Sequence, residues 1–199
     1  QPELNEISIE NGVCTFGASL TMGDLYRSEI FQKALPDSTY VFRLLSSTQI
    51  RNMATIGGNL VNASPIGDFT ILLLGLNAEI MLKNGHESRQ LYLKDFYKGY
   101  KIMDLKEGEY LAQIQFKIPK SDEYHFEKVS QRKYLDIASV NFASSFQIDK
   151  ENLIQNMHLA VGGVGPIPMY LNQTVAFLNG QKFEQKNIEK AIEILNSEI

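Results

Sequence analysis

Of the residues whose types and spacing could do chemistry, the run Thr55-Ile56-Gly57-Gly58-Asn59 stands first. Two adjacent glycines give up too much backbone entropy to continue a helix comfortably, and they pack poorly inside a strand. A tight turn suits them, and it would bring bare backbone N–H groups close to a ligand. Successive N–H groups in such a turn form an anion-holding nest, to which Thr55 and Asn59 add side-chain donors. Phosphate, or the pyrophosphate of a dinucleotide, fits that chemistry. The structural alternative is a tight bend between packed segments, and a lone Gly-Gly does not decide between the two. Other chemistry is hard to assemble. Three scattered histidines (His86, His125, His158) and one cysteine, Cys14, make neither a nucleophilic triad nor a metal-ligand spacing. The sequence thus offers no catalytic residue and no metal site, as in proteins whose bound cofactor carries the reaction.

The elements that must position this run follow from local pattern. Ile7–Ile9 and Val13–Ala18 read as paired strands around Asn11-Gly12, a hairpin signal. Thr21-x-x-Asp24 has the shape of a helix start, and that helix stops before Pro36. A second helix begins near Asp37, carries Val41, Leu44 and Leu45, and ends at Ser46-Ser47, delivering the chain into the glycine turn. Asp68 stands at the mouth of the apolar helix Phe69–Leu76, where an acidic residue can cap the N-terminus. Ala78–Leu82 and Ser88–Leu93 are strands joined by a polar turn holding a solvated His86. Tyr110–Ile118 is a long alternating strand ended by Pro119, and Ser121-Asp122-Glu123 marks a boundary. Beyond it His125–Gln131, Ser139–Ile148 and Leu153–Val161 read as a second, smaller sheet, with His125 and His158 as packing residues. Gly162 to Pro166 is a structural turn. Thr174–Leu178 and Asn187–Ile199 are helical, the latter amphipathic.

The 199 residues suffice for one large or two small domains with real cores. A 44% hydrophobic, 21% charged composition is ordinary for a globular protein. A net charge of -4 argues against nucleic-acid or anionic-membrane partners. No apolar run approaches the roughly 20 residues that span a bilayer, and the polar, acidic start is unlike a signal peptide. One cysteine cannot form an internal disulfide, and Cys14 reads as a small buried hydrophobe in a reducing, cytoplasmic setting.

The words around the glycines go further. Gln49-Ile50-Arg51-Asn52-x-Ala54-Thr55-Ile56-Gly57-Gly58-Asn59, followed by Asn62-Ala63-Ser64-Pro65-Ile66-x-Asp68, resembles the FAD-binding domain of molybdenum hydroxylases, the family of xanthine dehydrogenase, aldehyde oxidase and the carbon monoxide dehydrogenase medium subunit. The resemblance continues at Asp95 to Tyr100, and from Phe126-Glu127-Lys128-Val129 through Asp136-Ile137-Ala138. It implies an α+β fold: the second subdomain of a two-subdomain FAD-binding fold of the vanillyl-alcohol-oxidase type over residues 1–121, then a small α+β C-terminal domain over 122–199. The family's first subdomain, with its own glycine segment, would precede Gln1, so this stretch alone is expected to hold FAD weakly.

By the same resemblance, Thr55, Ile56, Gly57, Gly58 and Asn59 wrap the FAD pyrophosphate, and Asp68 belongs to the flavin site. Leu45 lies near the flavin ring, and Leu111 and Lys128 line it from the far strand and the second domain. A cation at Lys128 would stabilise the negative charge of reduced flavin; the alternative is a solvated lysine. The implied function is electron relay. Molybdenum-cofactor and [2Fe-2S] partner domains or chains would feed electrons through FAD to NAD+ or oxygen. The alternatives are a self-sufficient FAD oxidase of the vanillyl-alcohol-oxidase type and a scaffold segment that has lost its flavin.

Overall fold

The computed structural model describes residues 2–120 and 123–199, so the expected boundary at 121/122 lies outside the described residues. The fold is α+β, as expected. After a 3-10 turn at Pro2–Leu4, β1 (Ile7–Glu10) and β2 (Val13–Gly17) form the hairpin. Asn11 and Gly12 both take positive φ, 50° and 77°, which is the turn an Asn-Gly pair favours. Six helices follow: α1 (Met22–Arg27), α2 (Glu29–Ala34), α3 (Ser38–Leu44), α4 (Thr48–Met53), α5 (Ile56–Val61) and α6 (Asp68–Gly75). Thr21 and Asp24 close a full capping box on α1. The single helix expected before Pro36 is two, because Ser28 ends α1 and caps α2 through its hydroxyl.

The chain then returns to the sheet as β3 (Glu79–Asn84) and β4 (Glu87–Tyr92), followed by the small hairpin β5 (Tyr97–Gly99) and β6 (Ile102–Met103), and β7 (Tyr110–Lys117). The antiparallel sheet runs β1-β2-β7-β3-β4. The helices bury Phe31, Phe42, Phe69 and Leu72 against it, with Phe16 and Phe116 from the strands. Cys14 is fully buried, as expected, and burial pushes its thiol up to about 12.

The C-terminal part carries a second antiparallel sheet, β8 (Tyr124–Val129), β9 (Val140–Ile148), β10 (Ile154–Gly162) and β11 (Met169–Tyr170), in the order β11-β10-β9-β8. Helix α7 (Asn172–Leu178) packs on β10 and α8 (Gln185–Glu198) on α7, and Leu159, Leu171, Val175 and Ala191 form a separate apolar core there. The two sheets meet at α6. Seven of its eight residues are buried, because it is wrapped by the first core and pressed against β9 and β10. An apolar helix of this kind has no solvent face to keep polar.

Candidate functional site

The glycine run does not form a tight turn. Residues 56–61 are helix α5, with Gly57 and Gly58 in its first turn and Thr55 as N-cap. A further helix, α4, stands where a loop was expected. The reason lies in long-range pairing. Ile56 N–H donates to the Leu20 carbonyl at 2.9 Å and Gly57 N–H to the Ala18 carbonyl at 2.8 Å, while Met22 N–H donates to Ala54 O at 3.0 Å. Gly58 N–H donates to Thr55 Oγ1 at 3.1 Å, and Asn59 N–H to Thr55 O at 3.0 Å. These bonds offset the cost of glycine in a helix. They also occupy the donors that an open anion nest would have offered.

The two glycines differ in purpose. A Cβ on Gly57 would lie 3.0 Å from the Ala18 Cβ and 3.1 Å from its carbonyl oxygen, so Gly57 is a packing glycine. A Cβ on Gly58 would meet only Thr55 Oγ1, at 2.9 Å, and this residue is exposed. The ligand-facing features of the run are therefore the bare surface at Gly58, the Thr55 hydroxyl and Asn59. Asn59 Oδ1 is a buried acceptor that has no partner among the described residues.

A second group gathers where α3 ends and α6 begins. Asp68 is the first residue of α6 rather than its cap: Gly67 holds the cap position, and no side chain caps the helix. The Asp68 carboxylate turns instead to the C-terminal domain. Its Oδ2 accepts from Lys128 Nζ at 2.7 Å and its Oδ1 from Asn141 Nδ2 at 2.6 Å. Lys128 is not solvated; its side chain is 2% exposed, against 12% for Asp68. Its ammonium also donates to Leu44 O at 2.9 Å and Asp136 O at 2.8 Å, so all three of its protons have acceptors. Of the two readings of Lys128 from sequence, the solvated lysine does not hold: its charge is half of a buried ion pair.

Leu45, 7% exposed, follows Leu44 at the end of α3, and its carbonyl accepts from Arg51 Nη1 at 2.7 Å. Arg51 and Lys128 thus serve the carbonyls that the helix end leaves over. Asp136 offers its carbonyl to Lys128, while its carboxylate accepts from the Arg132 N–H at 2.9 Å, which holds it below the usual carboxylate range.

The structure brings Leu45, Asp68 and Lys128 together. The loop 62–67 joins them to α5, and the C-terminal domain grips that loop. Gly163 N–H donates to Pro65 O at 3.1 Å and Asn141 Nδ2 to Ile66 O at 3.1 Å; from the first domain, Lys101 donates to the Asn62 carbonyl. Gly163 takes φ 87°, which glycine adopts without strain, in the turn expected at Gly162 to Pro166. Leu111 stands apart. Its side chain is 6% exposed and packs in the first core, paired across the sheet with Leu82. β7 lies against α5, and Ala18 links the two as well, its N–H donating to Ala112 O at 2.9 Å and its carbonyl accepting from Gly57 N–H.

Two concave regions lie outside these residues. An open groove of about 420 Å³ runs between Ser46, Ser47 and Tyr134-Leu135, beside Leu45. A cleft of about 290 Å³ at the far end of α6 is lined by Asn77, Glu79, Tyr92 and His158. His158 bonds Tyr170 OH through Nδ1 at 2.7 Å, and burial with the Lys94 charge lowers its pKa to about 4. It is a packed, neutral histidine, as expected. His125 is not packed: it is exposed beside Glu127. Among the described residues no cluster of His, Cys, Asp or Glu could hold a metal.

Residues 2–121 match the family described as the FAD binding domain in molybdopterin dehydrogenase, and residues 125–199 match the CO dehydrogenase flavoprotein C-terminal domain. The chain belongs to the molybdopterin dehydrogenase flavin-domain family. This family member is 30% identical to the glyceraldehyde dehydrogenase medium chain of Sulfolobus acidocaldarius, over 99% of the chain and 69% of that protein. It is 28% identical to xanthine dehydrogenase 1 of Arabidopsis thaliana over its full length, but spans only 16% of that protein. Among solved structures it is similar to the cyanide-inactivated form of the Cu,Mo-CO dehydrogenase. The TM-score there is 0.87 at 26% identity, covering 98% of this chain and 68% of that one. Quinoline 2-oxidoreductase from Pseudomonas putida gives 0.82 at 25% identity, over 97% and 67% of the two chains. These likenesses show the expected fold, a flavin subdomain followed by a small C-terminal domain, and FAD as the family's cofactor.

Sequence reasoning missed Asn141 and Arg51 as contributors. Asn141 is one of several polar residues in β9, beside Ser144, Ser145 and Gln147, and its partner lies 73 positions away.

Proposed function

We propose that this chain is the FAD-holding segment of a molybdenum-containing hydroxylase or dehydrogenase, relaying electrons from iron–sulfur clusters through FAD to NAD+ or oxygen. FAD, when bound, supplies the redox chemistry; the chain supplies position and electrostatics. Thr55, Ile56, Gly57, Gly58 and Asn59 hold the pyrophosphate region. Gly58 permits close approach, the Thr55 hydroxyl donates, and Asn59 Oδ1 accepts. Asp68, locked by Lys128, presents a fixed carboxylate to the flavin end, with Leu45 as apolar backing, while Leu111 supports the site only through the core. Residues 1–121 and 122–199 serve as flavin-binding and C-terminal domains, and the molybdenum cofactor and [2Fe-2S] clusters sit in partner domains or chains. A cytoplasmic setting suits the buried thiol.

The observation that carries this reading is the orphaned, buried Asn59 Oδ1 beside the bare Gly58 surface, in a chain whose family binds FAD. The test is flavin retention. The intact protein should release stoichiometric FAD on denaturation after desalting. Gly58→Val should release almost none while unfolding close to the parent. The lost Thr55 cap costs about 1 kcal/mol and is partly offset by removing a helical glycine. Full flavin retention by that variant would overturn the assignment of the α5 start.

A further inference from the structure

We infer that Asn141 is a positioning residue of the flavin site, fixing the orientation of the Asp68 carboxylate from the C-terminal domain. The inference rests on the reading of Asp68 as a flavin-site residue. Its basis is the set of donors around that carboxylate among the described residues. Lys128 holds Oδ2, and its other two protons are committed to Leu44 O and Asp136 O. Lys128 therefore has no further proton for Oδ1. The contact at Oδ1 is Asn141 Nδ2, at 2.6 Å.

The amide cannot be turned round. Its nitrogen faces two acceptors, Asp68 Oδ1 and Ile66 O, and a flip would set an amide oxygen against both. The opposite end is wedged. Asn141 is 1% exposed and pairs with Gly162 across β9 and β10, where a Cβ on Gly162 would lie 2.2 Å from Asn141 Oδ1. That oxygen is buried and has no partner among the described residues. Nothing rewards the amide for rotating toward it, while the donor side makes one bond to a charged group and one to a carbonyl. Asn141 consequently pins the side chain of Asp68 and the backbone at Ile66 together, at the end of the loop leading from α5.

Asn141→Asp keeps the shape but replaces the donor with a second carboxyl group facing Asp68. Two carboxyls at that distance can meet only by sharing a proton. In the intact protein, FAD affinity of this variant should be near the parent's at about pH 5 and fall about tenfold or more by about pH 8. The parent should change little over that range. Asn141→Ser, which cannot reach Asp68 in the same way, should weaken FAD binding about tenfold with no such pH dependence, the size of one lost charge-assisted hydrogen bond.

Ser145→Ala is the structural control. Its hydroxyl donates to Gly75 O at 2.7 Å, at the other end of the same helix. It should lower the melting temperature without altering the pH profile of FAD binding. If both Asn141 variants bind FAD like the parent while only their melting temperatures fall, Asn141 is structural and the inference is overturned. If Asn141→Asp does not fold, Asn141→Ser decides alone. Failure of the flavin reading itself looks different, because then the parent holds no FAD and Gly58→Val changes nothing.

Discussion

At the scale of single residues, the main change from the sequence-based picture concerns Lys128. A lysine beside a flavin suggests a free positive charge acting on the cofactor's potential. Here the charge is met by Asp68 at 2.7 Å, and the pair is nearly dry. Removing one member therefore exposes the other. Lys128→Met leaves the Asp68 charge without its counter-ion, and Asp68 Oδ2 and two carbonyls without their donor; it should destabilise the fold by about 3–5 kcal/mol, the usual cost of an orphaned buried charge. Equilibrium denaturation measures this directly. Adding Asp68→Leu should recover much of the loss, since replacing both partners with apolar groups is often close to neutral. A single variant as stable as the parent would mean that water already reaches the pair.

At the scale of elements, the sheet of the first domain has its own polar lock. Arg89 on β4 donates to Glu109 Oε1 at 2.7 Å and Oε2 at 2.8 Å, and to Asp104 Oδ1 at 2.9 Å. This fork-to-carboxylate geometry lowers the Glu109 pKa from 4.5 to about 2, and the guanidinium is held charged. A carboxyl depressed in the folded state contributes stability that is present above its unfolded value. That stability is lost as pH falls toward the folded value. The parent should thus lose stability between about pH 4.5 and pH 2 as Glu109 is protonated. Glu109→Gln should be less stable at neutral pH and show a shallower decline across that window. Parallel acid limbs in the two proteins would exclude Glu109 as a contributor. The lock was not legible in the sequence, because Arg89 and Glu109 lie 20 positions apart and meet only through the turn after β6.

At the scale of the whole molecule, α6 is the joint between the two sheets. Gly75 near its end lies so close to β9 that a Cβ would stand 2.6 Å from the Ala143 Cβ and 2.8 Å from its carbonyl carbon. Alanine is favoured over glycine inside a helix by about 1 kcal/mol, so propensity alone would make Gly75→Ala stabilising. The backbone contact reverses the sign. The helix must move off β9, and overpacking of that kind costs about 1–3 kcal/mol. A denaturant midpoint below the parent's is the expected result; a higher one would mean that α6 and β9 are not in backbone contact. Because Asp68 opens the same helix, displacement of α6 should also loosen the flavin end of the site.

What the sequence determined by itself is what short windows can carry. Asn11-Gly12 demands a left-handed turn, and the box at Thr21 and Asp24 starts a helix. The alternation of 110–118 makes a strand, and the words around Gly57-Gly58 mark the flavin family. Tertiary structure decided the rest, wherever a group's partner lies far along the chain. Gly57-Gly58 became a helix start because Ala18 and Leu20 accept the N–H groups that a turn would have left open. Asp68 gave up capping because Lys128, 60 positions away, takes its carboxylate. Leu111 faces the core because register against β3 sets its side chain opposite Leu82. In each case the local preference is worth about 1 kcal/mol or less. A buried charge pair or a run of satisfied backbone donors outweighs it, since leaving such groups unpaired away from water costs more.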